Sequence, residues 1–221
     1  MRLIAAATLF IGPAAFAGPD WDGDIESDAG STIQTAQKIT VGGPVHTVVG
    51  RLAGIAFTLE PDFQDVYQIA ITDPGTFVID LTGAGLNFDA CLWLFDERGI
   101  PLLGNNDANG NTTAPKLTNT SNGGSSITIT MPGIYYFAVS GINSQPVQWG
   151  EPLWPSIVFE PGIVAGAFGT KSPWEGSWSG DGAVGEYVMT VQGVSGVPAP
   201  GAIALLGLAG LGGRLARRRR A

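Results

Sequence analysis

The sequence predicts an all-β domain, a sandwich or a barrel. Three observations lead there. Short β-rich runs recur, most with apolar residues at alternate positions; a turn signal closes nearly every run; and no amphipathic helical pattern appears in the central region of this 221-residue chain. Glycine, at 33 residues, is abundant, and proline is spread throughout.

Val45 to Leu52 is the first such run. From Asp65 to Ile71, the side chains of Tyr67, Ile69 and Ile71 share one face. Asp73-Pro74-Gly75 turns the chain into Thr76 to Leu81, where Phe77, Ile79 and Leu81 repeat the alternation. Asp89 to Phe95 is apolar on both faces, the pattern of a strand covered on both sides. A turn at Asp96-Glu97-Arg98-Gly99 leads to Ile100 to Leu103, followed by a long polar loop, Gly104 to Gly124. Ser126 to Met131 and Ile134 to Gly141 read as a hairpin across Pro132-Gly133. Ile142 to Gly185 is irregular and rich in Pro and Trp, and Glu186 to Gln192 alternates again as the expected last strand.

Both ends read as addresses. Arg2, the apolar run Leu3 to Ile11, the Gly12-Pro13 break and Ala15-Phe16-Ala17 make a secretory signal peptide over residues 1–17, with cleavage expected before Gly18. At the other end Ala202 to Gly213 is apolar but shorter than the roughly 20 residues that span a bilayer comfortably. The arginines Arg214, Arg217, Arg218, Arg219 and Arg220 follow, and such a cluster stays cytoplasmic while the body lies outside. Pro198-Ala199-Pro200-Gly201, the apolar segment and the arginine block together resemble the PEP-CTERM sorting signal of bacteria with exosortases, with Ala199 where that family usually has Glu. The resemblance implies a short C-terminal transmembrane helix that holds the exported chain until an exosortase-type sorting enzyme cuts near the motif. An uncut membrane anchor is the alternative.

Between Asp20 and Glu186, nineteen carboxylates face five basic residues, a net charge of −14. That surface repels phosphate backbones, so no nucleic-acid partner is expected, and it is compatible with divalent cations. Cys91 is the only cysteine, which excludes an intrachain disulfide and reads as a small buried hydrophobe.

The stretch Asp89 to Gly99, then Leu102 and Asn105-Asn106-Asp107, then Pro132-Gly133-Ile134-Tyr135-Tyr136 through Gly141, resembles the bacterial pre-peptidase C-terminal domain. That family opens with Asp-x-Asp-x-Tyr; here Asp65-Val66-Tyr67 matches its end, and the first acid is displaced to Asp62. The resemblance covers about residues 62 to 141. It implies a jelly-roll-like antiparallel β-sandwich, non-catalytic, of the sort attached to secreted peptidases. The expected organisation is a signal peptide (1–17), an acidic lead-in with the first strands (18–60), the sandwich (61–193), a linker with the Pro-Ala-Pro motif (194–200), and the apolar helix with its Arg-rich tail (201–221).

Four groups of residues carry candidate chemistry. Asn105, Asp107 and Asn109 place oxygen side chains at every second position before Gly110, as the first half of a calcium loop does. Lys116 stands where an EF-hand needs its bidentate acid, so Asp65, Asp89 and Asp96 are the expected carboxylates to complete a Ca2+ site across the sandwich. The competing reading is an Asn-Gly turn capped by its own side chains. Asp20, Asp22, Asp24, Glu26 and Asp28 form an acidic lead-in, read as solvated, with calcium bridging it to the sandwich as the alternative.

Trp149, Trp154, Trp174 and Trp178 offer indole faces for stacking on a sugar or a protein if exposed, and otherwise pack the loop onto the sandwich. Gly176-Ser177-Trp178-Ser179-Gly180 matches the Gly-x-Ser-x-Gly elbow of hydrolases, but the only histidine, His46, lies far upstream. The sequence therefore points to a non-enzymatic cell-surface or matrix protein, structural or adhesive, with extracellular polysaccharide or a matrix protein as partner. A carbohydrate-binding or secreted-peptidase-assisting module is the alternative.

Overall fold

The structure is a computed structural model and describes residues 21–22, 28–55, 61–82, 86–122, 127–154, 162–166 and 173–197. The signal peptide, the motif Pro198 to Gly201 and the arginine tail lie outside the described residues. Among the described residues no helix is long and apolar enough to cross a membrane.

In chain order the strands are β1 (Trp21–Asp22), β2 (Gln37–Lys38), β3 (Thr47–Leu52), β4 (Gly54–Ile55), β5 (Pro61–Asp62), β6 (Gln64–Ile71), β7 (Val78–Asp80), β8 (Ala90–Asp96) and β9 (Pro101–Asn105). They continue as β10 (Lys116–Thr118), β11 (Gly133–Gly141), β12 (Pro146–Gln148), β13 (Glu151–Pro152), β14 (Val164–Ala165), β15 (Ser177–Trp178), β16 (Gly185–Gln192) and β17 (Val194–Ser195). One sheet runs β1-β3-β16-β7-β10; a larger one runs β14-β9-β8-β11-β6-β17, with β2 also on β6. Two small sheets, β13-β12-β15 and β4-β5, flank them. All pairings are antiparallel except β1 with β3 and β2 with β6.

The two large sheets face each other across an apolar core. From one side come Val48 and Leu52 of β3, Tyr187, Met189 and Val191 of β16, and Ile79 of β7; from the other come Tyr67, Ile69 and Ile71 of β6, Leu92 and Leu94 of β8, and Phe137 and Val139 of β11. Period-two alternation produces this directly: β16 buries Tyr187, Met189 and Val191 and exposes Glu186, Val188, Thr190 and Gln192. Gly50 of β3 carries no side chain for a reason of space, since an added Cβ would collide with the hydroxyls of Tyr187 and Tyr67.

β8 is buried on both faces, as its sequence predicts. Its second face, with Cys91, Trp93 and Phe95, packs beneath Leu153, Trp154 and Trp174 in a separate cluster. The Trp-rich segment is thus a cover over the outer side of the larger sheet. Trp154 meets Trp93 and Phe95, Trp174 stacks on Phe95, and Trp178 meets Trp174 edge-on.

Several sequence expectations are corrected. Residues 127–131 do not pair with β11; Thr128 instead bridges Thr120, while β11 lies between β6 and β8. The strand partners of β11 are distant in sequence, and a local turn signal cannot reveal them. The polar loop Gly104 to Gly124 contains the end of β9 and all of β10, whose Leu117 reaches the inner core. The irregular stretch after Ile142 contains β12 to β15, and β16 is followed by β17, which pairs with β6.

Candidate functional site

The residues expected to gather one calcium ion are dispersed by the fold. Asp96 caps its own turn: Oδ1 accepts from the backbone N–H groups of Arg98 (2.9 Å) and Ile100 (2.8 Å), and Oδ2 accepts from the Arg98 guanidinium. Asn105 is fully buried and acts as a clasp. Its Oδ1 accepts from Lys116 N (2.7 Å), and its Nδ2 donates to the carbonyls of Asp107 and Gly162. Asn109 is exposed and accepts from Asn111 N at 3.0 Å, the self-capped Asn turn. The alternation fails as a ligand pattern because β9 ends at Asn105, and beyond a strand end the period-two rule no longer places side chains on one face.

Asp89 and Asp107 do come close enough to feel each other. Burial, then the charge of Asp107, pushes the Asp89 carboxyl above its usual range; burial alone raises Asp107. Each has one carboxylate oxygen, Oδ1, buried with no hydrogen-bond partner. Between them the Cys91 thiol donates to Asn106 Oδ1 at 3.1 Å, and burial followed by the two acidic charges drives that thiol far up. A thiol so hard to ionise is a poor nucleophile and a poor metal ligand.

Asp65 lies elsewhere, and it is joined by residues from the lead-in. One carboxylate oxygen each from Asp28, Asp62 and Asp65 lies within 4.8 Å of the others. Two stretches of chain build the cluster, the lead-in and the consecutive strands β5 and β6. Gly30 O accepts from Val66 N at 2.9 Å, which pins the lead-in beside β6. Asp62, at the end of β5, accepts from Ala53 N at 2.6 Å through its Oδ2. Asp65 is 2% exposed, and its Oδ2 accepts from the Tyr187 hydroxyl, which itself lies 2.7 Å from the Tyr67 hydroxyl. Burial first, and then the charge of Asp65, raises the Tyr187 phenol well above its ordinary value, so it stays protonated and serves as a donor.

No protein-family model matches the chain, and no curated protein matches it. The donor set therefore has to be judged on its own chemistry. These three carboxylates are hard oxygen ligands of the type calcium takes, graded from exposed Asp28 through half-buried Asp62 to buried Asp65. Of the sequence-predicted ligands only Asp65 belongs to this group. The signal for Asp62 lay in the displaced acid of the Asp-x-Asp-x-Tyr pattern, and that for Asp28 in the acidic lead-in.

Of the two readings of the four tryptophans, packing onto the sandwich describes all but Trp149. Trp154 and Trp174 are buried, at 0% and 2% exposure, and Trp178 is half-buried with its indole N–H donating to Ser31 O at 2.8 Å. Only Trp149 of the four presents its ring to solvent. The Gly-x-Ser-x-Gly match is not an elbow: Ser177 and Trp178 form β15 on the edge of a small sheet, and no helix follows among the described residues. The Ser179 hydroxyl accepts from Gln145 N (3.1 Å) and lies 3.4 Å from Asn143 O, so it ties two loops together.

Proposed function

We propose that the protein is an exported, non-catalytic module of the cell surface or extracellular matrix, structural or adhesive, whose acidic lead-in is locked to the sandwich by calcium at Asp28, Asp62 and Asp65. The observation that carries this reading is the convergence of Asp28, from the lead-in, with Asp62 and Asp65, from the adjoining strands β5 and β6 more than thirty residues later. Like charges held together repel, and a divalent cation reverses the sign of that interaction. The resemblance to the pre-peptidase C-terminal domain supports the same reading and adds the finer jelly-roll-like description. The signal peptide, the PEP-CTERM-like tail with its transmembrane helix, and the exosortase-type partner complete the proposal as its delivery route. In this reading the tail is an address and the sandwich is the working part.

The test is thermal unfolding of the exported protein with excess Ca2+ and with a chelator. At a Ca2+ concentration ~100 times the dissociation constant, binding adds about 2.7 kcal/mol of stability. That corresponds to a rise of ~5–10 °C in the midpoint for a chain of this size. Asp62→Asn should abolish the response, whereas Asp96→Asn, which removes a carboxylate from the dispersed set, should retain it. A midpoint indifferent to calcium would sink the metal reading. The delivery route has its own check, the intact mass of the protein in membrane and medium: a chain ending near Pro200 or Gly201 supports sorting, and arginines retained in every fraction refute it.

A further inference from the structure

Trp149 stands apart from the packed tryptophans in two ways. It is 74% exposed, and its backbone is left-handed, with φ of 52°. β12 and β13 pair Gln148 with Glu151, so Trp149 and Gly150 form a two-residue hairpin loop, and Gly150 also has positive φ, 84°. A loop with positive φ at both central residues strongly prefers Asn-Gly or Asp-Gly, because bulky side chains are strained there. The chain carries backbone strain and an exposed indole at one position, and neither benefits the isolated fold.

The frame under this ring is firm. Gln148 is 4% exposed and its Oε1 accepts from Glu175 N at 3.2 Å; Val147 pairs with both Pro152 and Ser177; Leu153 and Trp154 are buried immediately after the loop. An indole held on such a frame has little freedom left to lose on docking, which is the property of an interface anchor.

The charge beside the ring has one sign. β12 lies between β13 and β15, and each side brings an exposed glutamate to Gln148, the residue before Trp149. Glu151 stands opposite Gln148 on β13, and Glu175, on the approach to β15, donates its backbone N–H to the Gln148 side chain. Among the described residues the ion pairs are Arg98 with Asp96 and Lys116 with Asp80, so neither glutamate is engaged by a cation of this chain. The net charge of −14 between Asp20 and Glu186 adds to the same field.

The face of an indole is itself negative. Ring, glutamates and body therefore attract one kind of group, a cation. A neutral sugar gains from the ring but nothing from the field, and an acidic polysaccharide or an anionic lipid surface is repelled. Of the two basic side chains arginine fits better. Its planar guanidinium stacks on an aromatic face and donates to a carboxylate from its edge at the same time, whereas the lysine ammonium is a strongly hydrated point charge.

We propose that Trp149, Glu151 and Glu175 form a docking site for an arginine side chain presented by a basic segment of another protein. The guanidinium lies on the indole, and its N–H groups meet the carboxylates. In the delivery route proposed above the chain's own Arg214 and Arg217 to Arg220 stay on the cytoplasmic side, so the partner is a different chain. The site shares no residue with the calcium cluster and does not depend on it.

The experiment titrates the exported protein with two synthetic peptides free of aromatic residues, one of alternating Arg-Gly and one of alternating Lys-Gly. Calorimetry reads the affinity, and the tryptophan indole N–H resonances read the place, with the Trp149 signal identified by its loss in W149N. The expected result is a saturable shift centred on that signal, tighter binding of the arginine peptide, and weakening by salt. W149N leaves the charge unchanged and should weaken the arginine peptide ~5-fold. E151Q combined with E175Q should weaken it by a similar ~5-fold. Asn suits the left-handed position, so the thermal midpoint of W149N should equal or exceed that of the unaltered chain, which controls for folding. Binding undiminished in W149N overturns the proposal, because the acidic body alone then attracts the peptide. So does a Trp149 signal that ignores the arginine peptide; if a neutral glucose oligosaccharide moves it instead, the ring serves a sugar.

Discussion

The larger sheet is covered on its two faces by different kinds of structure. Its inner face meets another sheet, and the contact is built from strands of up to nine residues whose alternate side chains interlock. Its outer face meets the Trp-rich segment, in which no strand exceeds three residues and the cover is made of large rings placed by loops. On the inside, regular backbone pairing fixes each side chain. On the outside, a few aromatic contacts and side-chain hydrogen bonds, such as Trp174 Nε1 to Ser177 O at 3.0 Å, hold the backbone in place. A cover of the second kind can open without unfolding the sandwich.

The sharpest way to break this contrast is to make an equal hole on each side. Phe137, buried and stacked on Tyr67 at 4.9 Å, belongs to the inner core; Trp154 belongs to the outer. Phe137→Ala should cost ~3–5 kcal/mol and lower the whole unfolding transition. Trp154→Ala removes comparable contact, but hydrogen exchange should show the loss first in β12, β13 and β15, with β3 and β16 still protected. If both variants unfold every strand together, the two cores are a single cooperative unit and the contrast is false.

A smaller effect sharpens the inner side alone. Gly50→Ala adds one methyl group where the Tyr67 and Tyr187 hydroxyls approach the backbone. Overpacking of this kind costs about 1–3 kcal/mol. Gly110→Ala, at a position where an added Cβ meets nothing within 4 Å, is the matched control and should be close to neutral. Denaturant midpoints of the two variants decide it.

The inner side was legible because burial on one face writes a period of two into the sequence, and Tyr67-Ile69-Ile71 and Phe77-Ile79-Leu81 carry it plainly. The outer side showed only as its imprint on β8, apolar on both faces. Nothing local to Trp154 or Trp174 says which sheet they cover, since Pro-rich loops have no periodicity to read. The candidate site divides in the same way. Asp65 was visible from its strand, but its company depends on where the lead-in docks, and that is set by long-range contacts, the Val66 to Gly30 hydrogen bond, the β2–β6 pairing and the Trp178 to Ser31 bond among them. Asn105, Asp107 and Asn109 misled because a pattern of oxygens in sequence becomes a site only if the backbone keeps one conformation through it.

The smallest predicted effect concerns two acids at neighbouring strand ends, Asp89 before β8 and Asp107 after β9. Asp89 and Asp107 have raised folded-state values, from burial first and, at Asp89, from Asp107 next, so the folded protein binds their protons more readily than the unfolded chain does. Their contribution is therefore unfavourable at neutral pH, and it is relieved as pH falls through the raised values toward the ordinary 3.8. Asp80 acts oppositely. Burial alone would raise it, but Lys116 at 2.7 Å and the donors of Thr82 lower it, so its stabilisation is present above 3.8 and is lost as pH falls through the lowered value. Asp89→Asn keeps the shape and removes one of two repelling charges. It should stabilise the fold at pH 7 by roughly 0.5–1 kcal/mol, a gain that shrinks as the solution is acidified toward pH ~4. Melting curves at the two pH values separate this from a packing effect, which would be the same at both, and a loss of stability at pH 7 would mean that the two acids are favourably partnered in solution.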